Sequence, residues 1–314
     1  MHIDDQKKNE LKGLFAEKIS FGESLSGFTS MGVGGPAEAL LIPSETDEIT
    51  KAVVWCSSNN VKWCVLGGGT NIVVKDEGIK GLVIAITKKL SGFIHENIEG
   101  SSRVRIKAGT ALSHLCNWAA DNGLEGLEFA AGIPGTFGGA VKMNAGTSAG
   151  WISDILESIT VISSNGENKY LSRSEIESSY RKLRLKNVAD PGDICGSIII
   201  EASIILKNGS ADAIKAKIKK SIENRKANQP LGYKNAGCIF RNPENNLPAG
   251  KLIEMAGLKG TESGGAKVSD IHANFIINTG DASARDVLAL IDIVKTTVSE
   301  KFSVTLEPEV IVAG

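Results

Sequence analysis

The sequence predicts an α+β fold, with a larger N-terminal part and a smaller C-terminal part meeting near residue 206. Two observations predict it. Short apolar, strand-like runs alternate with segments of helical period, and two glycine-rich loops, "LGGGTN" (66–71) and "AGIPGTFGGAVKMNAG" (131–146), interrupt the N-terminal part. The composition supports a folded soluble chain: of 314 residues, 42% are hydrophobic and 23% charged, with 35 glycines but only 8 prolines. That balance points to backbone-built loops in a folded protein, not to disorder.

Taken in order, a polar helical start leads to "FTSMGVGGPAEALLIPS" (28–44), a turn-rich segment running into the strand "EALLIP". Ser44, with Asp47 three residues on, marks a helix start; Ile49, Val53 and Cys56 then share one face. "KWCVLGGGTNIVV" (62–74) reads as strand, glycine turn, strand, and "GLVIAI" (81–86) as another buried strand. "RVRIKAGT" (103–110) alternates like a half-buried strand, and "ALSHLCNWAADNGL" (111–124) is a helix closed by Gly123. Residues 151–206 are mostly strand. Ala211 to Lys226 is a helix with Ile214, Ile218 and Ile222 on one stripe, its lysines forming a solvated face. After the polar joint "NRKANQPLGYKNAG" (224–237) come the strand "HANFIIN" (272–278) and a helix carrying Val287, Leu290, Ile291, Val294 and Val298. The chain closes with "VTLEPEVIVAG".

Several function classes are excluded. A net charge of -1 leaves no electrostatic footprint for nucleic acid or an anionic membrane. The most apolar run, "SIIIEASIIL" (197–206), is too short to span a bilayer and is interrupted by Glu201. The start, "MHIDDQKKNELKGLF", lacks the apolar core of a secretory signal. Cys56, Cys64, Cys116, Cys195 and Cys238 are scattered without paired spacing. They read as reduced thiols of a cytoplasmic protein, with no metal site.

The glycines after Leu66 are consecutive and lead into a β-branched strand, which fits neither a dinucleotide fingerprint nor a P-loop. What remains is an anion nest of backbone N–H groups from Gly67, Gly68 and Gly69, with donors from Thr70 and Asn71, or else a plain tight turn. In the second loop Gly132, Gly135, Gly138 and Gly139 allow close backbone approach, and Pro134 stiffens the turn. Two such loops, each flanked by strands, can line both sides of one elongated ligand. The alternative is a helix start packed tightly on a sheet.

Together "TSMGVGGPAEALLIPS", "VLGGGTNIVVKDEGIKGLVI" and "GLEFAAGIPGTFGGAVKMNAGT" resemble the flavin-binding half of the UDP-N-acetylenolpyruvoylglucosamine reductase family. "NAGCIFRNP", "AGKLIEMAGLKG", "GGAKVSDIHANFIIN" and "LEPEV" resemble its substrate domain, in the same order. The resemblance implies a FAD-binding fold of the vanillyl-alcohol-oxidase type: a domain at 1–206, in subdomains of about 1–86 and 87–206, and a substrate domain at 207–314 whose last strand returns to the active site. FAD would lie along Gly67, Gly68, Gly69, Thr70, Asn71, Gly132, Ile133, Pro134, Gly135, Gly138, Gly139, Ala140, Asn144 and Ala145. NADPH would be the reductant and a UDP-sugar the substrate of a monomeric cytoplasmic enzyme with no nucleic-acid or membrane partner.

By the same resemblance, the carboxylate-stabilising arginine is Arg181, after Tyr180, and the second acid is Glu309, with Glu307 the lesser choice. A guanidinium suits the first role because its fork holds a carboxylate bidentately and stays charged. The proton donor, usually serine in an "AGSxFKNP"-like motif, is Cys238 here. A thiol titrating near 8.5 is mostly protonated at neutral pH and is a stronger acid than an alcohol. Tyr180, Asn242, Lys251 and His272 are candidates for contacting the UDP-sugar, His272 being equally readable as a core histidine. Departures stand at Leu183, where serine is frequent, and at Ile311, where arginine is. The short segment from Arg181 to Ile198 matches the subgroup lacking an extra tyrosine-bearing loop. Two alternatives stay open: a non-catalytic flavin- or nucleotide-binding homologue, and an FAD oxidoreductase of the same fold with another substrate.

Overall fold

A computed structural model of the protein describes residues 2–186, 188, 196–244 and 246–314; Cys195 lies outside the described residues. They divide into two compact units, one of Met1–Phe21, Glu38–Gly68 and Lys80–Glu223, the other of Gly22–Ala37, Gly69–Ile79 and Asn224–Gly314. The boundary expected at residue 206 falls inside the strand Ile198–Asn208. The second unit instead draws two segments from the N-terminal third of the chain.

In the first unit, helix α1 (Asp5–Phe15) begins where the Asp4 carboxylate accepts the Lys7 amide at 3.0 Å. That satisfies one of the donors a helix start leaves open. Helix α2 (Thr46–Ser58) starts one residue beyond the Ser44 signal: Glu45 is the cap, and Glu48 reaches back to the amides of Ser44 at 2.8 Å and Glu45 at 3.2 Å. Ile49, Val53 and Cys56 are buried on one face, as their spacing predicts. They pack with Leu11, Leu82 and Ile84 beside a sheet ordered Ile19–Ser20, Pro36–Leu41, Ile79–Ala85, Trp63–Leu66. Its last two strands are parallel.

A second, antiparallel sheet has the order Asn168–Ser172, Leu156–Ile162, Ile198–Asn208, Ser101–Lys107, Phe93–Ile98. Helices α3 (Leu112–Asp121) and α4 (Phe137–Lys142) belong to it, and Ile106, Leu112, Leu115, Phe137, Ile159 and Ile204 form its fully buried core. A short helix α5 (Ile152–Ile155) precedes its second strand in the chain. Helix α6 (Ala211–Asn228) buries Ile214 and Ile218 and runs into the second unit.

The second unit contains a small sheet ordered Lys234–Asn235, Ile276–Asn278, Ala266–Val268, Glu262–Ser263. Helices α7 (Ala249–Met255) and α8 (Ala284–Phe302) share a core with Val73, Ile239 and Phe240. Strand Ile311–Ala313 pairs in parallel with Ile72–Val74. All four opening amides of α8 are accounted for. Asp76 accepts from Ala284 and Arg285, each at 2.9 Å; the Ser283 hydroxyl accepts from Asp286 at 3.2 Å, and its carbonyl from Val287 at 3.4 Å. Asp76→Ala is expected to cost about 1–2 kcal/mol, read as a lower urea midpoint with an unchanged slope; Asp76→Asn should recover part of the loss.

Candidate active site

Leu66 ends a strand and Ile72 begins the next, so Gly67 to Asn71 must turn within a few residues. In the first unit a Cβ on Gly68 would stand 2.7 Å from the Gly135 Cα, and one on Gly67 would stand 2.9 Å from the Thr136 hydroxyl oxygen. The two glycine loops therefore meet backbone to backbone, at a distance only glycine permits. Neither "LGGGTN" nor "AGIPGTFGGA" carries an acidic side chain. Backbone donors, hydroxyls and an amide without carboxylates suit a pyrophosphate-bearing cofactor, so the residues present fit FAD.

The second loop differs from expectation in its flanks, which are a 3-10 turn at Glu128–Ala130 and helix α4, not strands. The Thr136 side chain caps α4 by accepting the Gly139 amide at 3.4 Å. Gly138 serves packing: its amide donates to Ala108 at 2.8 Å, and a Cβ there would lie 2.6 Å from the Ala108 Cβ. Asn144 is 3% exposed. Its side chain donates to the Ser179 carbonyl and accepts from the Ser153 amide, both at 3.0 Å. It thereby joins the end of the glycine loop to the hairpin carrying Tyr180 and Arg181. Ala140 and Ala145 are buried.

Strands Ile176–Ser179 and Lys182–Leu185 form that hairpin, closed by Ser179 opposite Lys182, so Tyr180 and Arg181 are its loop. Arg181 donates through Nη1 to the Gly146 carbonyl at 2.9 Å. Leu183 is buried in the core of the antiparallel sheet; strand alternation turns this position inward, which accounts for an apolar residue there.

Cys238 and Glu309 belong to the second unit, and backbone pairing brings their segments together. The Glu309 amide donates to the Ile239 carbonyl at 2.7 Å, Phe240 bridges to Pro308, and the Arg241 amide donates to the Glu307 carbonyl at 2.9 Å. Asn274 fixes the first segment, accepting from the Phe240 amide at 2.9 Å and donating to its carbonyl at 2.8 Å. Asn71 fixes the second: its side chain donates to the Glu309 carbonyl at 3.2 Å, and its own carbonyl accepts from Ile311 at 3.0 Å. Glu309 and Cys238 are half-buried, whereas Glu307 is exposed. Ile311 is also exposed and starts the terminal strand.

Asn242, Lys251 and His272 gather at the start of α7. Asn242 accepts the Ala249 amide at 3.0 Å and so caps the helix. Lys251 pairs with Glu254 at 3.7 Å on its exposed side. His272 is half-buried beside Gly250, accepts the Asn274 amide through Nδ1 at 3.2 Å, and meets Phe275 edge-on at 5.0 Å. Burial, reinforced by the Lys259 charge, holds its pKa below the ordinary 6.5. Three further residues escape the sequence reading. Arg225 Nε, Gln229 Oε1 and Arg241 Nε are buried polar atoms with no hydrogen-bond partner among the described residues. Burial lowers the Arg225 pKa, while the Cys238 sulfur acts on it in the opposite sense. Arg225 and Gln229 sit one turn apart at the end of α6, a spacing visible in the sequence but masked there by the surrounding lysines.

Residues 36–172 match the family model described as FAD binding domain, and residues 229–313 match that of UDP-N-acetylenolpyruvoylglucosamine reductase, C-terminal domain. A UDP-N-acetylenolpyruvoylglucosamine reductase from Desulfosudis oleivorans is 41% identical over 99% of this chain and 100% of its own length. The chain belongs to the UDP-N-acetylenolpyruvoylglucosamine reductase family. Another relative of that name, from Clostridium novyi, is 42% identical across 99% of this chain and 97% of its own. The crystal structure of the reductase from Thermus caldophilus superimposes with a TM-score of 0.75 at 36% identity, covering 94% of this chain and 98% of that one. The fold is thus the expected α+β, FAD-binding architecture, and FAD is the cofactor. No helix among the described residues is long and apolar enough to cross a membrane.

For a reductase of this family, two outcomes follow from the geometry. Gly68→Val is expected to leave a folded protein that purifies without yellow colour, because the side chain forces the two glycine loops apart; flavin absorbance per protein measures this. His272 resists protonation when folded, so the unfolded chain binds more protons. Stability should hold above pH 6.5 and fall as pH drops from there through the lower folded value. Urea midpoints between pH 5 and 8 should show the decline, flattened in His272→Gln.

Proposed function

We infer that this chain, with FAD bound, uses NADPH to reduce UDP-N-acetylglucosamine enolpyruvate to UDP-N-acetylmuramate in peptidoglycan precursor synthesis. The observation that carries the reading is the pairing of residues 239–241 with 307–309, which sets a thiol and a carboxyl on adjoining backbone in a chain of this family. FAD, when bound, would supply the redox chemistry that carries a hydride from NADPH to the enolpyruvyl double bond. The glycine loops hold the cofactor through Gly67 to Asn71 and Gly132 to Gly139.

Negative charge grows beside the substrate carboxylate during reduction, and Arg181 offsets it with a fixed cation. Cys238 supplies the proton to the neighbouring carbon from its thiol, and Glu309 orients the donor or shares the proton. Arg225, Gln229 and Arg241, each with one buried polar atom that has no hydrogen-bond partner among the described residues, answer to the diphosphate and amide groups of a UDP-sugar. Asn242, Lys251 and His272, grouped at one helix start, contact the same ligand, as does Tyr180. A net charge of -1 and the absence of a membrane-spanning helix among the described residues support a cytoplasmic enzyme without nucleic-acid or membrane partners. We assign it as a monomer.

The test separates the two half-reactions by rapid mixing without oxygen. NADPH should bleach the flavin, and the enolpyruvyl substrate should restore its colour. A flavin that stays bleached after substrate is added would overturn the reading and leave its two alternatives, a flavin-binding homologue or an oxidoreductase with another substrate. Cys238→Ala is expected to keep the NADPH step and slow reoxidation about 100-fold or more, whereas Cys238→Ser should retain measurable turnover. Unchanged reoxidation in the alanine variant would remove the thiol from the mechanism.

A further inference from the structure

The loop of the Tyr180–Arg181 hairpin departs from what its geometry favours. Arg181 occupies the second loop position with φ +54, in the left-handed region. Glycine or asparagine ordinarily stands there, since a longer side chain meets its own backbone. Such an outlier persists only where its surroundings hold it, and those surroundings point to a role.

The guanidinium of Arg181 lies in a corner made by two aromatic rings. Its Cζ is 5.3 Å from the Trp151 ring centroid and 5.4 Å from that of Tyr180. The rings meet edge-on, with centroids 5.7 Å apart and planes at 78°. The Gly146 carbonyl fixes the remaining direction at 2.9 Å. Trp151 is held in turn: in a second short hairpin, Gly146–Thr147 with Gly150–Trp151, it pairs with Gly146, and its amide donates to Asp154 at 2.8 Å. A Cβ on Gly146 would sit 2.5 Å from Trp151 Cε3. The indole therefore lies against the bare backbone of the residue whose carbonyl binds Arg181.

We propose that Trp151 is a positioning residue for Arg181, holding the guanidinium in one orientation for the carboxylate of an enolpyruvyl ether. The attraction is that of a cation for an aromatic face, strongest for indole. A guanidinium already confined loses less freedom when its fork meets a carboxylate. Trp151 touches neither substrate nor cofactor in this account and acts only through Arg181. The proposal rests on the reading of Arg181 as the carboxylate-stabilising group.

The experiment compares Trp151→Leu, Trp151→Phe and Arg181→Ala in the FAD-loaded enzyme, with both half-reactions followed by flavin absorbance. Trp151→Leu keeps apolar bulk and removes the ring face. It should reduce with NADPH within twofold of the parent and reoxidise about tenfold more slowly. Its half-saturating concentration of enolpyruvyl substrate should rise several-fold, and Trp151→Phe should recover most of both losses. Parent-like reoxidation in Trp151→Leu, together with slow reoxidation in Arg181→Ala, overturns the role of Trp151 and leaves that of Arg181 standing. Parent-like reoxidation in Arg181→Ala overturns both. Equal damage in the leucine and phenylalanine variants, with the NADPH step slowed as well, also overturns the proposal, because it marks a packing role.

Discussion

In the second unit the placement of Cys238 and Glu309 depends on one backbone pairing, whose shortest bond is the 2.7 Å contact from the Glu309 amide to the Ile239 carbonyl. Around it, residues 239–241 and 307–310 lie side by side, and Cys238 and Glu309 take their places on adjoining segments. Asn71 extends the arrangement by holding the Glu309 carbonyl and the Ile311 amide. A residue of the glycine loop thus governs where the terminal acid sits. Its side chain makes the first bond and its backbone carbonyl the second, because the turn of "LGGGTN" ends at the strand that pairs with Ile311–Ala313.

The two kinds of site in this protein are built from different materials. The cofactor site we propose relies on the absence of side chains: glycines whose added Cβ atoms would meet backbone at 2.7 Å or closer, as at Gly68 and Gly69. The substrate chemistry we propose relies on side chains placed by others, such as Arg181 beside Trp151 and Asn242 at the start of α7. The first arrangement is rigid because nothing further can approach. The second is rigid because polar atoms are held by directional bonds, and it leaves buried unpaired atoms at Arg225, Gln229 and Arg241. Those atoms carry an unmet desolvation cost until a polar ligand arrives.

Residue type alone made the glycine loops legible, since few other arrangements need so many bare backbones in a folded chain. Periodicity disclosed α8 and the strand ending in Leu206 for the same local reason. What stayed hidden is non-local. The strain at Arg181 depends on the hairpin register, which places it at the second loop position and not the first. Trp151 meets Arg181 thirty positions away in the chain, and neither residue announces the other. Arg225 lies on a lysine-rich helix and Gln229 just past its end, and only the fold shows which polar residues are covered. The composition of the second unit was also unreadable from the linear order, because segments 22–37 and 69–79 carry no mark separating them from their neighbours.

The parallel pair of Ile72–Val74 with Ile311–Ala313 also sets a timetable for synthesis. Asn71 and Glu309 are separated by 238 residues. At ~5–20 residues per second, a ribosome takes on the order of ten to fifty seconds to cover that stretch. During this interval the edge of Ile72–Val74 waits beside the glycine loop without its final neighbour. An apolar strand edge open for so long is a site for mispairing with other nascent chains. The contact that places Glu309 lies beside the strand pair that closes this edge, so a newly made chain sets that carboxyl and covers the strand together.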